Sequence, residues 1–282
     1  MLIAALAIYA CSAPDQANKN QPDIIKISVL PDQSPEQLKK IYKPLFDYIS
    51  STTGLKYKLI IPKNYQAIID GFENKETDFA FMGGYTFLLT HIKGLSQPLV
   101  MRDVDLKFTS SLIVTSSSTA KTLTDLHQKK FAFGSKLSTS GHLMPRYYLQ
   151  EKGFIPENFF SVSTYSGAHD KTAYMVRDGE VDAGILNTHV LKQMIADGRL
   201  SEQDVKVIWV TPPYPDYIWA ISSRINPSTA TMLKNAMLQL VYSNPEHKKI
   251  LDKLSAKAFF PASLEDFRIL HTIISNEHPH QD

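Results

Sequence analysis

The sequence predicts an α/β protein built as two similar lobes, and three observations support that expectation. Short β-branched and aromatic runs alternate with stretches of helical periodicity, the pattern of largely parallel sheets flanked by helices. A constellation of residues recurs at long range: Tyr65, Asp78 and Tyr85 are matched by His169, Asp182 and His189, each 104 positions further on. The chain has 282 residues, 43% hydrophobic and 21% charged, which is enough for two ordinary globular units. That composition excludes collagenous, low-complexity and broadly disordered chains.

Residues 24–30 (Ile-Ile-Lys-Ile-Ser-Val-Leu) read as the first strand. Ser34-Pro35-Glu36-Gln37 is a helix start, with Ser at the N-cap, Pro where no N–H is needed and Gln placed to close a capping box. Leu38, Ile41, Leu45 and Ile49 then share one face until Gly54 stops the helix. A strand at 57–61, a helix at 65–72 and a strand at 79–82 ending in Gly83-Gly84 follow. Further along, strands at 111–115, 130–133, near 162, at 183–186 and at 206–210 alternate with helical segments at 123–126, 140–152, 171–178 and 190–196. After the proline-rich 212–215, a strand at 219–222 and helices at 227–243 and 245–253 close the chain. Each copy of the recurring constellation reads as helix, turn, Asp, short strand and a small or polar loop. The period is too long for a solenoid, so two lobes are the natural interpretation. Asp78 and Asp182, each just ahead of a strand, are read as turn or cap residues rather than ligands.

Charge and motifs narrow the chemistry. Thirty basic residues against 28 acidic ones leave +2, with no run of Lys or Arg to nominate nucleic acid as a partner. The single cysteine, Cys11, makes neither an internal disulfide nor a Cys-rich zinc site. The nine histidines show no zinc-binding spacing, so no metal and no cofactor is expected. No apolar stretch approaches the roughly 18 residues of a bilayer span.

The most informative segment is Phe131-Ala132-Phe133-Gly134-Ser135-Lys136-Leu137-Ser138-Thr139-Ser140-Gly141, a strand running into a hydroxyl-rich helix start. The first amides of a helix lack internal acceptors and the helix dipole favours negative charge there. Ser and Thr hydroxyls add short donors, and Gly141 lets an oxyanion approach the backbone. The combination suits a tetrahedral oxyanion; ordinary N-capping is the plainer reading. It is not a Walker loop, because no Gly-Lys-Ser/Thr ends it.

Here the sequence resembles a known family. Ser138-Thr139-Ser140-Gly141, followed by Met144-Pro145 and Tyr147-Tyr148-Leu149, is similar to the phosphonate-, phosphite- and phosphate-binding proteins of ABC importers. So are, in order, Ser34-Pro35-Glu36 with Lys43-Pro44-Leu45, Thr53-Gly54-Leu55, Asn64-Tyr65, Asp78-Phe79-Ala80 with Tyr85, Gly167-Ala168-His169 and Asp182-Ala183-Gly184. The resemblance covers roughly residues 24–270. It implies a two-lobed type II periplasmic-binding-protein fold, each lobe a mixed, mostly parallel sheet flanked by helices, with a two-strand hinge. Lobe 1 would comprise 24–113 and 217–282, and lobe 2 would comprise 114–216.

The resemblance also assigns roles. Ser138, Thr139, Ser140 and Gly141 would hold phosphorus-bound oxygens, and Tyr65 would donate its phenol from the opposite lobe. Tyr85, His169 and His189 would line the cleft, with Asp216 as a cleft acid. Tyr217 and Trp219 are read as cleft, core or hinge residues. Where amine-binding members carry Glu after Asn-Thr, this chain has Asn187-Thr188-His189. Imidazole does not pair with an ammonium as a carboxylate does, so phosphate, phosphite or an alkylphosphonate is expected rather than an aminoalkylphosphonate. The implied partners are the transmembrane subunits of an ABC permease, and a monomer is expected. Two competing readings are a sensor that passes its ligand state to a membrane receptor, and a hydrolase using Ser140, His169 and Asp170. The second lacks a Gly-x-Ser-x-Gly elbow, and its His and Asp are adjacent.

Residues 1–11 run apolar up to Cys11, and polar sequence follows at once. This resembles the end of a bacterial lipoprotein signal. The expectation is that 1–10 is a signal, Cys11 is lipidated and 11–23 is a flexible tether. The protein would then sit on the periplasmic or cell-envelope face, held to a membrane by acyl chains. No Lys or Arg precedes the apolar run, and Tyr9 is bulky for such a signal; a buried first strand with an inert cysteine is the competing reading.

Overall fold

The computed structural model describes residues 24–277, so Cys11 and the segments read around it lie outside the described residues. The chain begins β1 (Ile24–Val29), α1 (Pro35–Thr53), β2 (Lys56–Ile60), α2 (Gln66–Glu73), β3 (Phe79–Met82), α3 (Gly84–Ile92) and β4 (Ser96–Arg102). It continues with β5 (Ser110–Thr115), β6 (Lys130–Phe133), α4 (Met144–Glu151), α5 (Pro156–Phe159), β7 (Val162–Tyr165), α6 (His169–Arg177), β8 (Ala183–Asn187), α7 (Thr188–Ala196) and β9 (Val205–Val210). It ends with β10 (Ile218–Ser222), α8 (Pro227–Leu238), α9 (Pro245–Lys253), β11 (Phe259–Pro261) and α10 (Arg268–Glu277).

Two sheets result, one ordered β11-β4-β10-β3-β1-β2 and the other β7-β6-β8-β5-β9. In each, three strands are parallel: β2-β1-β3 in the first and β7-β6-β8 in the second. The strands that arrive from the other sheet, β10 and β5, pair antiparallel with β3 and β8. The chain therefore crosses between sheets twice, after β4 and before β10. Because β5 belongs to the second sheet, residues 110–113, read above with the first lobe, pair with the second.

The internal recurrence is a structural repeat. Asp78 Oδ2 accepts the Lys26 N–H at 2.8 Å, and Asp182 Oδ2 accepts the Lys130 N–H at 2.8 Å, both across 52 positions. Each carboxylate pins the strand it precedes to the first strand of its unit, the turn role expected of it. The helix starts correspond as well. Ser34 caps α1 through the Gln37 N–H, and Ser138, 104 residues on, caps its own turn through the Gly141 N–H.

Packing follows from the apolar spacing. In α1, Leu38, Leu45, Phe46 and Ile49 are buried, and Gly54 ends the helix at φ 73°, a left-handed conformation that glycine adopts freely. Trp219 is fully buried, stacked on Phe79 at 4.9 Å and edge-on to Phe46 at 5.8 Å, which settles it as core. Side chains of this size contribute on the order of 1.5–3 kcal/mol each when buried. The second sheet carries an apolar cluster on each face, one around Phe131 and Phe133 and one around Val176 and Met194.

Several elements differ from expectation. The helix over Gly84–Ile92 and the strand over Ser96–Arg102 had no reading: one is apolar nearly all round and the other carries Pro98. Residues 123–126 form a 3₁₀ turn rather than a regular helix. The helix at 227 stops at Leu238 rather than 243. A short edge strand and α10 follow α9, so α9 does not close the chain.

Candidate functional site

The hydroxyl-rich turn is built by close backbone contact. Gly134, just past β6, donates its N–H to the Gly141 carbonyl at 2.8 Å. A Cβ on Gly134 would lie 3.1 Å from the Gly141 Cα, and one on Gly141 would lie 3.0 Å from the Gly134 Cα, so a side chain at either would crowd the facing backbone. Residues Thr139–Leu143 form a π-helical turn leading into α4. Such wide turns are rare and concentrate at functional sites. The Ser138 hydroxyl accepts the Gly141 N–H at 2.9 Å, which leaves its own proton free to donate. The Thr139 and Ser140 amides take no partner among the described residues.

Lobe 1 meets this turn with the start of α3. Tyr85 N–H donates to Thr139 Oγ1 at 3.0 Å, and Gly84 N–H donates to Asp216 Oδ1 at 3.2 Å. Gly83 permits the approach, because a Cβ there would sit 3.0 Å from Thr139 Oγ1 and 3.2 Å from Asp216 Oδ1. Tyr65, at the N-terminus of α2, is 1% exposed, and its hydroxyl has no hydrogen-bond partner among the described residues; Asp216 Oδ2 likewise has none. The seam thus encloses the Tyr65 phenol, with the Ser138 hydroxyl as its neighbour but no hydrogen bond formed, and the unpaired Asp216 Oδ2, near two bare amides.

The next shell orients His169. Its Nδ1 receives the Asn187 N–H at 3.3 Å, which makes Nδ1 the acceptor and places the ring proton on Nε2. Nε2 lies 3.5 Å from Ser140 Oγ and 3.4 Å from Tyr217 Oη. Burial lowers the His169 pKa to about 3, so at neutral pH the ring is an uncharged donor. Tyr217 in turn donates to Asp32 Oδ2 at 2.9 Å and accepts from Asn187 Nδ2 at 3.0 Å.

Burial raises the Asp216 carboxyl to about 7, against the opposing pull of the Thr139 and Ser140 hydroxyls and the Gly84 amide. Burial also raises Asp32 to about 7, opposed by the Tyr217 hydroxyl. The Tyr65 phenol is pushed up by burial and then by the Asp32 carboxylate, so it remains a donor. The donors around the turn are therefore neutral. The Arg102 guanidinium stands behind Tyr217, 5.5 Å from its ring centroid, and is held by a bidentate pair with Asp105.

A tetrahedral oxyacid that keeps one hydroxyl complements this set, with its oxygens on amides, hydroxyls and phenol and its proton on Asp216. A fully ionised tetrahedral ion offers Asp216 no proton and, above about pH 7 where the carboxyl is ionised, sets charge against charge.

Ser138, Thr139, Ser140, Gly141, Tyr65, Tyr85, His169 and Asp216 converge here, Tyr85 through its main chain. His189 is set apart. Its ring lies 5.0 Å from Phe108, and it lines a cavity of about 30 Å³ with Asp32, Arg102, Asn187 and Tyr217. Burial lowers its pKa to about 4, so it too is neutral. Asp32 and Asn187 had no sequence reading as site residues. Asn187 ends the parallel strand β8 and Asp32 lies three residues past β1, on the side where open α/β sheets gather ligands, and that position was the available signal. The hydrolase arrangement is not assembled. The His169 Nδ1 takes an amide rather than a carboxylate, and Asp170 instead accepts the Ser34 N–H at 3.0 Å and the Lys171 N–H at 2.8 Å.

Comparison with known proteins agrees with this geometry. Residues 27–267 match the family described as ABC transporter, phosphonate, periplasmic substrate-binding protein. The chain is 30% identical over 285 residues to the probable ABC transporter phosphite binding protein PhnD1 of Prochlorococcus marinus (strain MIT 9301), covering 97% of this chain and 95% of that one. It is 27% identical over 252 residues to the phosphate-import protein PhnD of Mycolicibacterium smegmatis, covering 83% and 78%. The solved structure of Prochlorococcus marinus PhnD1 in complex with methylphosphonate superposes with a TM-score of 0.85 at 28% identity, covering 91% of this chain and 98% of that one.

Proposed function

This chain belongs to the periplasmic substrate-binding proteins of ABC phosphonate transporters, and on that footing we propose that it captures a small phosphorus oxyanion bearing one acidic proton: phosphite, phosphate or a short alkylphosphonate. The observation that carries this reading is the pairing of an orphaned donor, Tyr65 Oη, with an orphaned acceptor, Asp216 Oδ2, beside the open amides of Thr139 and Ser140. The cavity at His189 has room for a water or two. Its imidazole is neutral and Arg102 is its cation, so an alkylammonium finds no partner in His189. That favours small substituents over aminoalkyl chains. The loaded protein would deliver its ligand to the transmembrane subunits of the permease.

Calorimetry of the chain from residue 22 onward tests the reading. Against phosphate, phosphite, methylphosphonate, aminoethylphosphonate and sulfate, at least one of the first three should bind at least about 100-fold more tightly than sulfate, the factor that about 3 kcal/mol for a charged hydrogen bond supports. Sulfate binding as well as all three would defeat it. The lipid anchor at Cys11 and a monomeric state belong to the same proposal. Cys11→Ser should shift the protein from the membrane fraction to the soluble fraction of cells that make it. Equal partitioning of the two proteins would remove the anchor.

A further inference from the structure

The repeat places a second helix start opposite the first, and the structure shows what occupies it. In lobe 2 the turn capped by Ser138 leaves two amides open. In lobe 1 the equivalent start, capped by Ser34 at the head of the 19-residue α1, is met by a carboxylate from the other lobe, at the N–H of the cap residue itself. The Ser34 N–H donates to Asp170 Oδ2 at 3.0 Å. Asp170 belongs to α6, in lobe 2, so the contact spans the seam, and its side chain is 6% exposed. Pro35, at the position matching Thr139, has no N–H to offer.

The same loop is gripped at further points, among them Gln33 Nε2, which donates to Gln193 Oε1 of α7 at 3.5 Å. The His169 N–H donates to the Asp32 carbonyl at 3.0 Å, and Arg199 donates to Gln33 Oε1 at 3.0 Å. Glu36 lies in the first turn of α1 itself, and Asp170 brings a carboxylate to the same positive end of the helix dipole from the other lobe.

Resting on the proposed function, we infer that Asp170 is a tethered anion that latches the two lobes shut, a positioning residue that strengthens ligand binding without touching the ligand. The latch exists only when the lobes meet, so its free energy is added to closure and appears as slower ligand release. The charged and titratable groups around it are Asp32 on the lobe 1 loop, which opposes it as a like charge, and Arg199 and Lys171, which favour it. Burial raises the Asp170 carboxyl.

The test compares wild type, Asp170→Asn and Asp170→Ala, with phosphite as probe, by stopped-flow binding and by small-angle scattering with and without saturating probe. Asp170→Ala should release phosphite about ten-fold faster with an association rate within two-fold of wild type, and should be less compact at saturation. Asp170→Asn keeps an acceptor for Ser34 but not the charge, and should fall between the two. Thermal melts of the probe-free proteins within a few degrees of each other would separate the effect from loss of fold. If Asp170→Ala fails to fold, Asp170→Asn carries the test by the same readouts. A folded variant whose release rate and compaction match wild type overturns the inference, as does a loss confined to the association rate. Failure of wild type to bind any of the phosphorus oxyanions strikes the functional reading instead.

Discussion

Replacing Ser138, Thr139 and Ser140 together by Ala is expected to weaken phosphite binding by about two to four orders of magnitude. Each hydrogen bond to a charged oxygen contributes about 1.5–3 kcal/mol, and the substitution removes three hydroxyls. The Thr139 and Ser140 amides remain, so the loss stops short of the full sum. Loss of the Ser138 cap costs about 1 kcal/mol of local stability and frees the Gly141 N–H. Thr139 also accepts the Tyr85 N–H across the seam, so part of the weakening should come from poorer closure. Calorimetry alongside a thermal melt checks the result. A folded triple variant with unchanged affinity would show that the anion is held elsewhere.

The second large effect is expected at Asp216. Oδ1 is committed to the Gly84 amide, and Oδ2 is the acceptor left for a ligand hydroxyl. Asp216→Asn should weaken phosphite binding about 10- to 100-fold near pH 7, where one proton is shared between Oδ2 and a ligand oxygen, the range of one charged hydrogen bond. Above about pH 7, where the Asp216 carboxyl is ionised, it should also admit sulfate, because an amide donates to a fully ionised oxygen where a carboxylate repels it. The pH dependence follows from the same group. Its carboxyl is raised from an ordinary value of 3.8 to about 7 in the closed cleft. A raised closed-state value favours the closed form at low pH; that contribution is full below about 4 and is lost progressively as pH rises to about 7. The Asp216 contribution to wild-type affinity should therefore fall between about pH 4 and 7 and level off above, a fall that Asp216→Asn should lack. Identical pH profiles for the two proteins would remove Asp216 from the site.

The oxyanion turn was legible because its residue types are unusual together: three hydroxyls and a glycine at a helix start shortly after a strand state their chemistry locally. The repeat was legible because Asp78 and Asp182 do the same backbone work in both units, and that work fixes their spacing. Asp216 was found through resemblance, and Tyr217 was left between cleft, core and hinge. Asp32 and Asn187 left no local trace, because their roles depend on contacts brought together from opposite ends of the fold, such as Tyr217 with Asp32 across 185 positions. His189 was assigned by its place in the repeat. The repeat fixes a helix start but not which wall its side chain reaches, and here it turns toward Phe108. The helix over Gly84–Ile92 was missed because its buried apolar residues have no polar face to reveal a period.

The uncharged donors around the turn bear on the surroundings in which the protein works. Mobile ions weaken attraction between exposed charges over a Debye length of about 8 Å at physiological ionic strength, and they reach a closed seam poorly. An anion held by amides, hydroxyls, a phenol and an uncharged imidazole meets dipoles whose pull is local. Its retention should be nearly the same in dilute medium and in brine, so scavenging need not slacken when the outside turns saline.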